Sequence, residues 1–99
     1  DYLGSYHKVL EELGELKEAV DTQNQQKMEQ EFGDLLFATV NLGRLLGIEP
    51  EGALTKTSTK FTKRFKYIEE MAREKGKDIS ECSLAEMDNW WEEAKELEK

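Results

Sequence analysis

Two pairs of carboxylates recur at matched spacing in the N-terminal part of this 99-residue chain. Glu12 precedes Glu15 by three residues, and Glu31 precedes Asp34 by the same interval. With about 100° of rotation per residue, a helix places each pair on one flank of its apolar stripe. Two such helices packed antiparallel through their stripes would bring all four carboxylates to one edge of the core, so we predict that they form one cluster.

Such a cluster has a clear chemical use if a cation neutralises it. Carboxylates held together repel one another, and a nearby apolar core increases the penalty. A ligand set made only of oxygen suits Mg²⁺ or Mn²⁺ and argues against Zn²⁺. A di-iron site is disfavoured because it needs Glu-x-x-His pairs, and the only histidine, His7, belongs to none. The remaining alternative to a magnesium site is a solvated acidic face.

A second group of residues combines positive charge with an aromatic ring. Lys60 and Arg64 lie four residues apart beside an apolar stripe, and Trp91 and Lys95 repeat that spacing near the end of the chain. A lysine supplies a point charge and an arginine a bidentate fork, which together can hold a polyphosphate. A tryptophan can stack on a base. The alternative is a solvated basic face with tryptophans that only close the core.

No residue stands out as a covalent nucleophile. The serines have no histidine in a suggestive context, Cys82 has no neighbouring base, and a glycine-rich phosphate loop is missing. Water activated by a metal ion is therefore the simpler chemistry.

Four helices must position these side chains. Apolar spacing and terminating residues predict them over about residues 4–20, 27–46, 50–75 and 83 to near the end. Gly47 and Gly76 are predicted to end helices, Pro50 to begin one, and Ser83 to open a capping box. The predicted fold is all-α. The residues predicted to face its core are Val9, Leu13, Leu16, Val20, Met28, Phe32, Leu35, Thr39, Leu42, Leu46, Leu54, Phe61, Phe65, Ile68, Ala72, Met87, Trp90, Ala94 and Leu97.

The second predicted helix is apolar on more than one side. Leu36, Phe37, Val40 and Leu45 lie off its main stripe, and a helix of this kind needs partners on several sides. We therefore expect a homodimer whose interface completes a helical bundle.

Composition sets further limits. The net charge of −8 disfavours binding of a nucleic-acid polymer, and no apolar run approaches the roughly 20 residues that span a bilayer. A single cysteine fits a reducing cytosol, so we expect a cytoplasmic protein. The length predicts one domain over residues 1–99, and an initial Asp1 in place of methionine indicates a fragment of a longer chain.

Nearly the whole chain resembles the MazG-type nucleoside triphosphate pyrophosphohydrolases, best their C-terminal, catalytically competent domain. The resemblance rests on four stretches in this order: EELGE at 11–15, EFGDLLF at 31–37, KFTKRF at 60–65 and EMDNWWEEAK at 86–95. It implies an all-α oligomeric enzyme that hydrolyses nucleoside triphosphates to monophosphate and pyrophosphate, with water attacking the α-phosphorus.

The resemblance also implies individual roles. The implied Mg²⁺ ligands are Glu12, Glu15, Glu31 and Asp34. One of these carboxylates, or Glu11, would orient or deprotonate the water. The implied phosphate-binding residues are Lys60, Arg64 and Lys95, and Trp91 would lie against the nucleoside. A nucleotide-binding module with little turnover, and a purely structural helical module, remain as alternatives.

Overall fold

The computed structural model describes residues 1–99, and all of its regular structure is helical. The helices are α1 (Leu3–Asp21), α2 (Gln25–Leu45), α3 (Pro50–Glu74) and α4 (Leu84–Leu97), with a 3₁₀ turn at Ile79–Glu81. The predicted all-α fold with four helices is confirmed, and the predicted bounds differ from these by at most two residues. No helical segment has the length and hydropathy of a membrane span.

Local turn chemistry ends the helices where the sequence predicts. Gly47 and Gly76 have φ angles of 76° and 69°, in the left-handed region that glycine adopts without strain. The hydroxyl of Ser83 accepts a hydrogen bond from the Glu86 amide at 3.1 Å, and the Glu86 carboxylate accepts one from the Ser83 amide at 3.0 Å. This reciprocal pair is the predicted capping box that starts α4.

The chain divides into two compact units, Asp1–Ala53 and Leu54–Lys99. The first contains α1 and α2, which pack against each other as a hairpin joined by the three-residue turn Thr22–Asn24. The second contains most of α3 together with α4. The single domain predicted over residues 1–99 stays a prediction.

The line of contact between α1 and α2, here called the seam, repeats at alternating intervals of three and four residues, as in coiled coils. The shielded residues that follow this repeat are Ser5, Val9, Glu12, Leu16 and Ala19 of α1, and Met28, Glu31, Leu35, Ala38 and Leu42 of α2. Two glutamates therefore occupy positions that apolar side chains normally fill.

The seam only partly follows the predicted apolar stripes. Leu13, Val20 and Phe32 were expected to face the core but are about half exposed, whereas Ala19 and Ala38 are 2 % and 7 % exposed. The alanines provide the physical reason, because small side chains let two helices approach closely along that line. The helices are rotated so that the carboxylates lie in the contact and larger apolar side chains point outward.

The second unit has a small aromatic core. Ile68 and Ala72 of α3 pack with Trp90 of α4, and all three are buried as predicted. Four predicted core residues of this unit are instead exposed: Leu54 (66 %), Phe61 (49 %), Phe65 (48 %) and Leu97 (71 %). The apolar stripe of α3 is longer than the surface that α4 covers, so its N-terminal part lies open.

Candidate functional site

The hairpin register brings the two carboxylate pairs together. The Asn41 amide donates to the Ser5 hydroxyl over 3.5 Å at the open end of the hairpin. In an antiparallel pair, this register places Glu12 opposite Asp34 and Glu15 opposite Glu31. The prediction that these four side chains converge therefore follows from the helix pairing itself.

Three of the four carboxylates are close enough to share one ion. Oxygens of Glu12, Glu31 and Asp34 lie within 4.8 Å of one another. Oxygens around an octahedral Mg²⁺, about 2.1 Å from the metal, are separated by about 3–4 Å. Small rotamer adjustments would thus complete a Mg²⁺ site, and the exposed position of Asp34 leaves one side of the cluster open.

The burial of this cluster supplies an independent test of fit. Glu12 and Glu31 are each 6 % exposed, and each has a buried Oε2 atom without a hydrogen-bond partner. A buried carboxylate oxygen that lacks a partner costs stability. A divalent cation would satisfy both oxygens at once, so the donor set fits a hard metal ion.

Glu15, the fourth predicted ligand, borders the same cluster. Its pKa is raised, first by the negative charge of Glu12 and then by a hydrogen bond with Glu31. The raised pKa reflects repulsion among the carboxylates at Glu15, which is only partly exposed. A cation bound between them would oppose this effect.

Lys8 is a neighbour of the cluster that the sequence analysis missed. Its ammonium lies 3.2 Å from a Glu12 carboxylate oxygen and 3.4 Å from one of Glu11. These contacts, led by the hydrogen bond with Glu12, raise the pKa of Lys8. The spacing of four residues before Glu12 could have indicated this pair. Glu11 itself is exposed on the outer side of α1.

A cleft of about 530 Å³ adjoins the cluster at the closed end of the hairpin. Glu15 and Glu31 form its border with the cluster, while Asn24 and Lys27 line it from the start of α2. Asn24 also caps α2, because its side chain accepts a hydrogen bond from the Lys27 amide at 3.1 Å. Lys27 thus places a positive charge beside the acidic residues, and the sequence analysis missed it because it lies outside any apolar pattern.

In the second unit, two residues of the predicted basic and aromatic group meet. The Arg64 guanidinium lies 5.1 Å from the centre of the Trp91 ring, within the range of a cation–π interaction. Trp91 in turn contacts Phe61 edge to face, with 4.9 Å between ring centres. Arg64 and Trp91 therefore lie on one surface of this unit.

The other two members of that group are placed differently. Lys95 pairs with Glu92 of its own helix at 3.7 Å, and Lys60 is exposed one turn before Arg64. Arg64 is itself paired with Glu98, a residue that the sequence analysis did not consider. No local pattern could have indicated this pair, because its members are 34 residues apart.

The chain is thus an all-α protein in which the α1–α2 hairpin brings carboxylates together at a buried seam. This acidic cluster could hold a metal ion. The model of the MazG nucleotide pyrophosphohydrolase domain matches residues 3–80. The chain belongs to this family, as its sequence motifs indicate.

Similar proteins agree with this assignment. Over 92 residues the chain is 48 % identical to the nucleoside triphosphate pyrophosphohydrolase/pyrophosphatase MazG of Thermotoga maritima, covering 93 % of this chain and 35 % of that protein. Over 93 residues it is 40 % identical to the nucleoside triphosphate pyrophosphohydrolase of Escherichia coli, covering 94 % of this chain and 35 % of that protein. It is 51 % identical over 76 residues to the Bacillus subtilis protein YabN, covering 77 % and 16 %. The chain thus spans about a third or less of the length of these relatives.

Proposed function

We propose that this chain hydrolyses nucleoside triphosphates, ribo- or deoxyribo-, to nucleoside monophosphate and pyrophosphate in the presence of Mg²⁺. The observation that carries the proposal is the pair of buried, unpartnered carboxylate oxygens of Glu12 and Glu31 beside Asp34. Family membership supplies the reaction class, since two similar proteins are named nucleoside triphosphate pyrophosphohydrolases.

Glu12, Glu15, Glu31 and Asp34 would hold the ion, with Mn²⁺ as a substitute. The ion would supply positive charge against phosphate oxygens and acidity to water. A carboxylate of the cluster would orient the attacking water and accept its proton. Glu11 is less suited to this role than the cluster, because it is exposed and its charge is shared with Lys8.

The second unit would hold the substrate. Arg64 offers a planar fork that matches a phosphate, and Lys60 and Lys95 add point charges. Trp91 presents a ring that is only partly buried, which would lie against the nucleoside. These cations would offset the charge that grows on the pyrophosphate leaving group.

A homodimer is part of the proposal. Phe37 is 77 % exposed, and Leu36 and Phe32 of the same helix are 54 % and 51 % exposed. Contiguous apolar surface of this kind is typical of an interaction site. A second copy covering it would complete the helical bundle, and the proposed active form is therefore a homodimer or larger homo-oligomer.

The test is hydrolysis of a panel of ribo- and deoxyribonucleoside triphosphates with and without Mg²⁺, with products separated by chromatography. Release of monophosphate and pyrophosphate that needs Mg²⁺ is the expected result. Glu31→Gln should abolish it, whereas Glu70→Gln, a matched change at an exposed residue of α3, should not. Nucleotide binding by a folded protein that turns over none of the panel would replace this proposal with a binding module.

A further inference from the structure

A salt bridge with two hydrogen bonds joins α3 to the end of α4. Nε and Nη2 of Arg64 donate to the two carboxylate oxygens of Glu98, each over 3.0 Å. The Arg64 side chain is 11 % exposed and that of Glu98 is 35 % exposed. Glu98 is the residue that follows the last turn of α4. The pair therefore lies at one end of the surface that Arg64 shares with Trp91.

The occupied edge of Arg64 is the one that a phosphate would use. Two parallel N–H donors at Nε and Nη2 match the spacing of two oxygens in either a carboxylate or a phosphate. A carboxylate of Glu98 and a phosphate of a nucleotide therefore cannot both take this edge. The hydrogen bond from Arg64, followed by its charge, lowers the pKa of Glu98, which keeps the competing anion charged at neutral pH.

Two aromatic rings also lie beside the Arg64 guanidinium, independently of Glu98. The Arg64 guanidinium lies 5.1 Å from the Trp91 ring centre and 5.9 Å from that of Phe61. Those two rings contact each other edge to face, so they form a fixed aromatic support. Loss of Glu98 would leave Arg64 on this support with its two-donor edge free.

We propose that Glu98 is a displaceable anion that occupies the Nε–Nη2 edge of Arg64 in the free protein and is replaced there by a phosphate of the nucleotide. This inference rests on the proposed role of Arg64 in holding phosphate. A triphosphate carries more negative charge than a single carboxylate, so it wins the exchange but loses part of its binding energy to it. Glu98 thereby weakens the affinity for the substrate and leaves the chemistry at the acidic cluster unaltered.

The test is binding of a nucleoside triphosphate analogue with a methylene group between the α- and β-phosphates, measured by calorimetry in the presence of Mg²⁺. Glu98→Gln and Glu98→Ala should each lower its Kd by roughly three- to tenfold, as expected for a partly buried bidentate pair. The KM for the hydrolysed substrate should fall by a similar factor with kcat unchanged. Glu96→Gln is the matched control, because it removes the same charge from an exposed residue of α4 that pairs only with Lys99.

Arg64→Gln separates the failure of this inference from the failure of the proposed function. If Arg64→Gln leaves the Kd unchanged, the phosphate-binding role of Arg64 is wrong. If it weakens binding while both Glu98 variants bind like the wild type, only the displaceable anion is refuted. Weaker binding by Glu98→Ala would also refute it, since that result would make Glu98 a residue that positions Arg64. In the double variant with Arg64→Gln, the gain from Glu98→Gln should disappear.

Discussion

Replacement of Glu31 by glutamine should stabilise the metal-free chain and abolish its response to Mg²⁺. Glu31 is the suitable position because it lies in the seam, is 6 % exposed and has an unpartnered Oε2. Glutamine has nearly the same shape, so the packing of α1 against α2 is preserved. Only the charge and one acceptor oxygen are lost.

The magnitude follows from the spacing of the carboxylates. Carboxylate oxygens of Glu12, Glu31 and Asp34 lie within 4.8 Å of one another, and two unit charges at that separation repel by about 3.5 kcal/mol at an effective dielectric constant of 20. The Lys8 ammonium, 3.2 Å from Glu12, offsets part of this repulsion. We therefore expect a gain of about 2 kcal/mol in the free energy of unfolding, or about 8 °C in Tm for a domain of this size.

The wild type should reach a similar stability only when it binds the ion. At an Mg²⁺ concentration about 100 times its Kd, ligand linkage adds about 2.7 kcal/mol. Thermal unfolding followed by circular dichroism, with EDTA and then with MgCl₂, gives both quantities for wild type and Glu31→Gln. Glu29→Gln is the control on the same helix, because it removes an equal charge from an exposed position.

Two results would refute the reasoning. A Glu31→Gln chain that is less stable than wild type in EDTA would show that the buried carboxylate is satisfied without a cation. An undiminished rise in Tm with MgCl₂ in this variant would place the binding site elsewhere. Glu29→Gln distinguishes these results from a general effect of net charge, because such an effect would appear equally in that variant.

Three further outcomes are expected. Arg64→Lys keeps the charge but loses the fork, so KM for a triphosphate should rise roughly tenfold with kcat little changed in steady-state kinetics. Hydrogen bonds from the Ser83 amide and the Lys77 ammonium lower the pKa of Glu86. Because the folded pKa is the lower one, this stabilisation is present at neutral pH and is lost as the pH falls below about 4.3; urea midpoints of wild type and Glu86→Gln should therefore converge in acid. Phe37→Glu should convert the proposed homodimer to monomers, as measured by light scattering.

The sequence predicted most of the fold because the signals that end helices are local. Gly47, Gly76 and Ser83 each act within one turn. In the structure two helices end just before the glycines, and α4 begins after Ser83. The face that α1 presents to α2 was less predictable. Two candidate faces exist on each helix, one rich in leucine and one with alanine between two carboxylates, and apolar periodicity favours the former.

The candidate site likewise contains residues that the sequence could predict and residues that it could not. The carboxylates could be predicted because their spacing repeats along two neighbouring helices. The pairing of Arg64 with Glu98 could not, because it joins residues 34 positions apart and depends on how α4 packs on α3. Lys8 lies between these cases, since its distance of four residues from Glu12 is a local signal that was available in the sequence.

The turn between α1 and α2 is only three residues long, so the carboxylates of the acidic cluster come from residues that are close in the sequence. Gln23 adopts a φ angle of 57° in this turn, and every predicted metal ligand lies between Glu12 and Asp34. Short loops close within about 10–100 ns, and structures built from near neighbours in the chain fold fastest. The four carboxylates therefore need only the contact between α1 and α2 to come together. If the proposed cation binds these carboxylates, its binding would favour the register of the hairpin that brings them together.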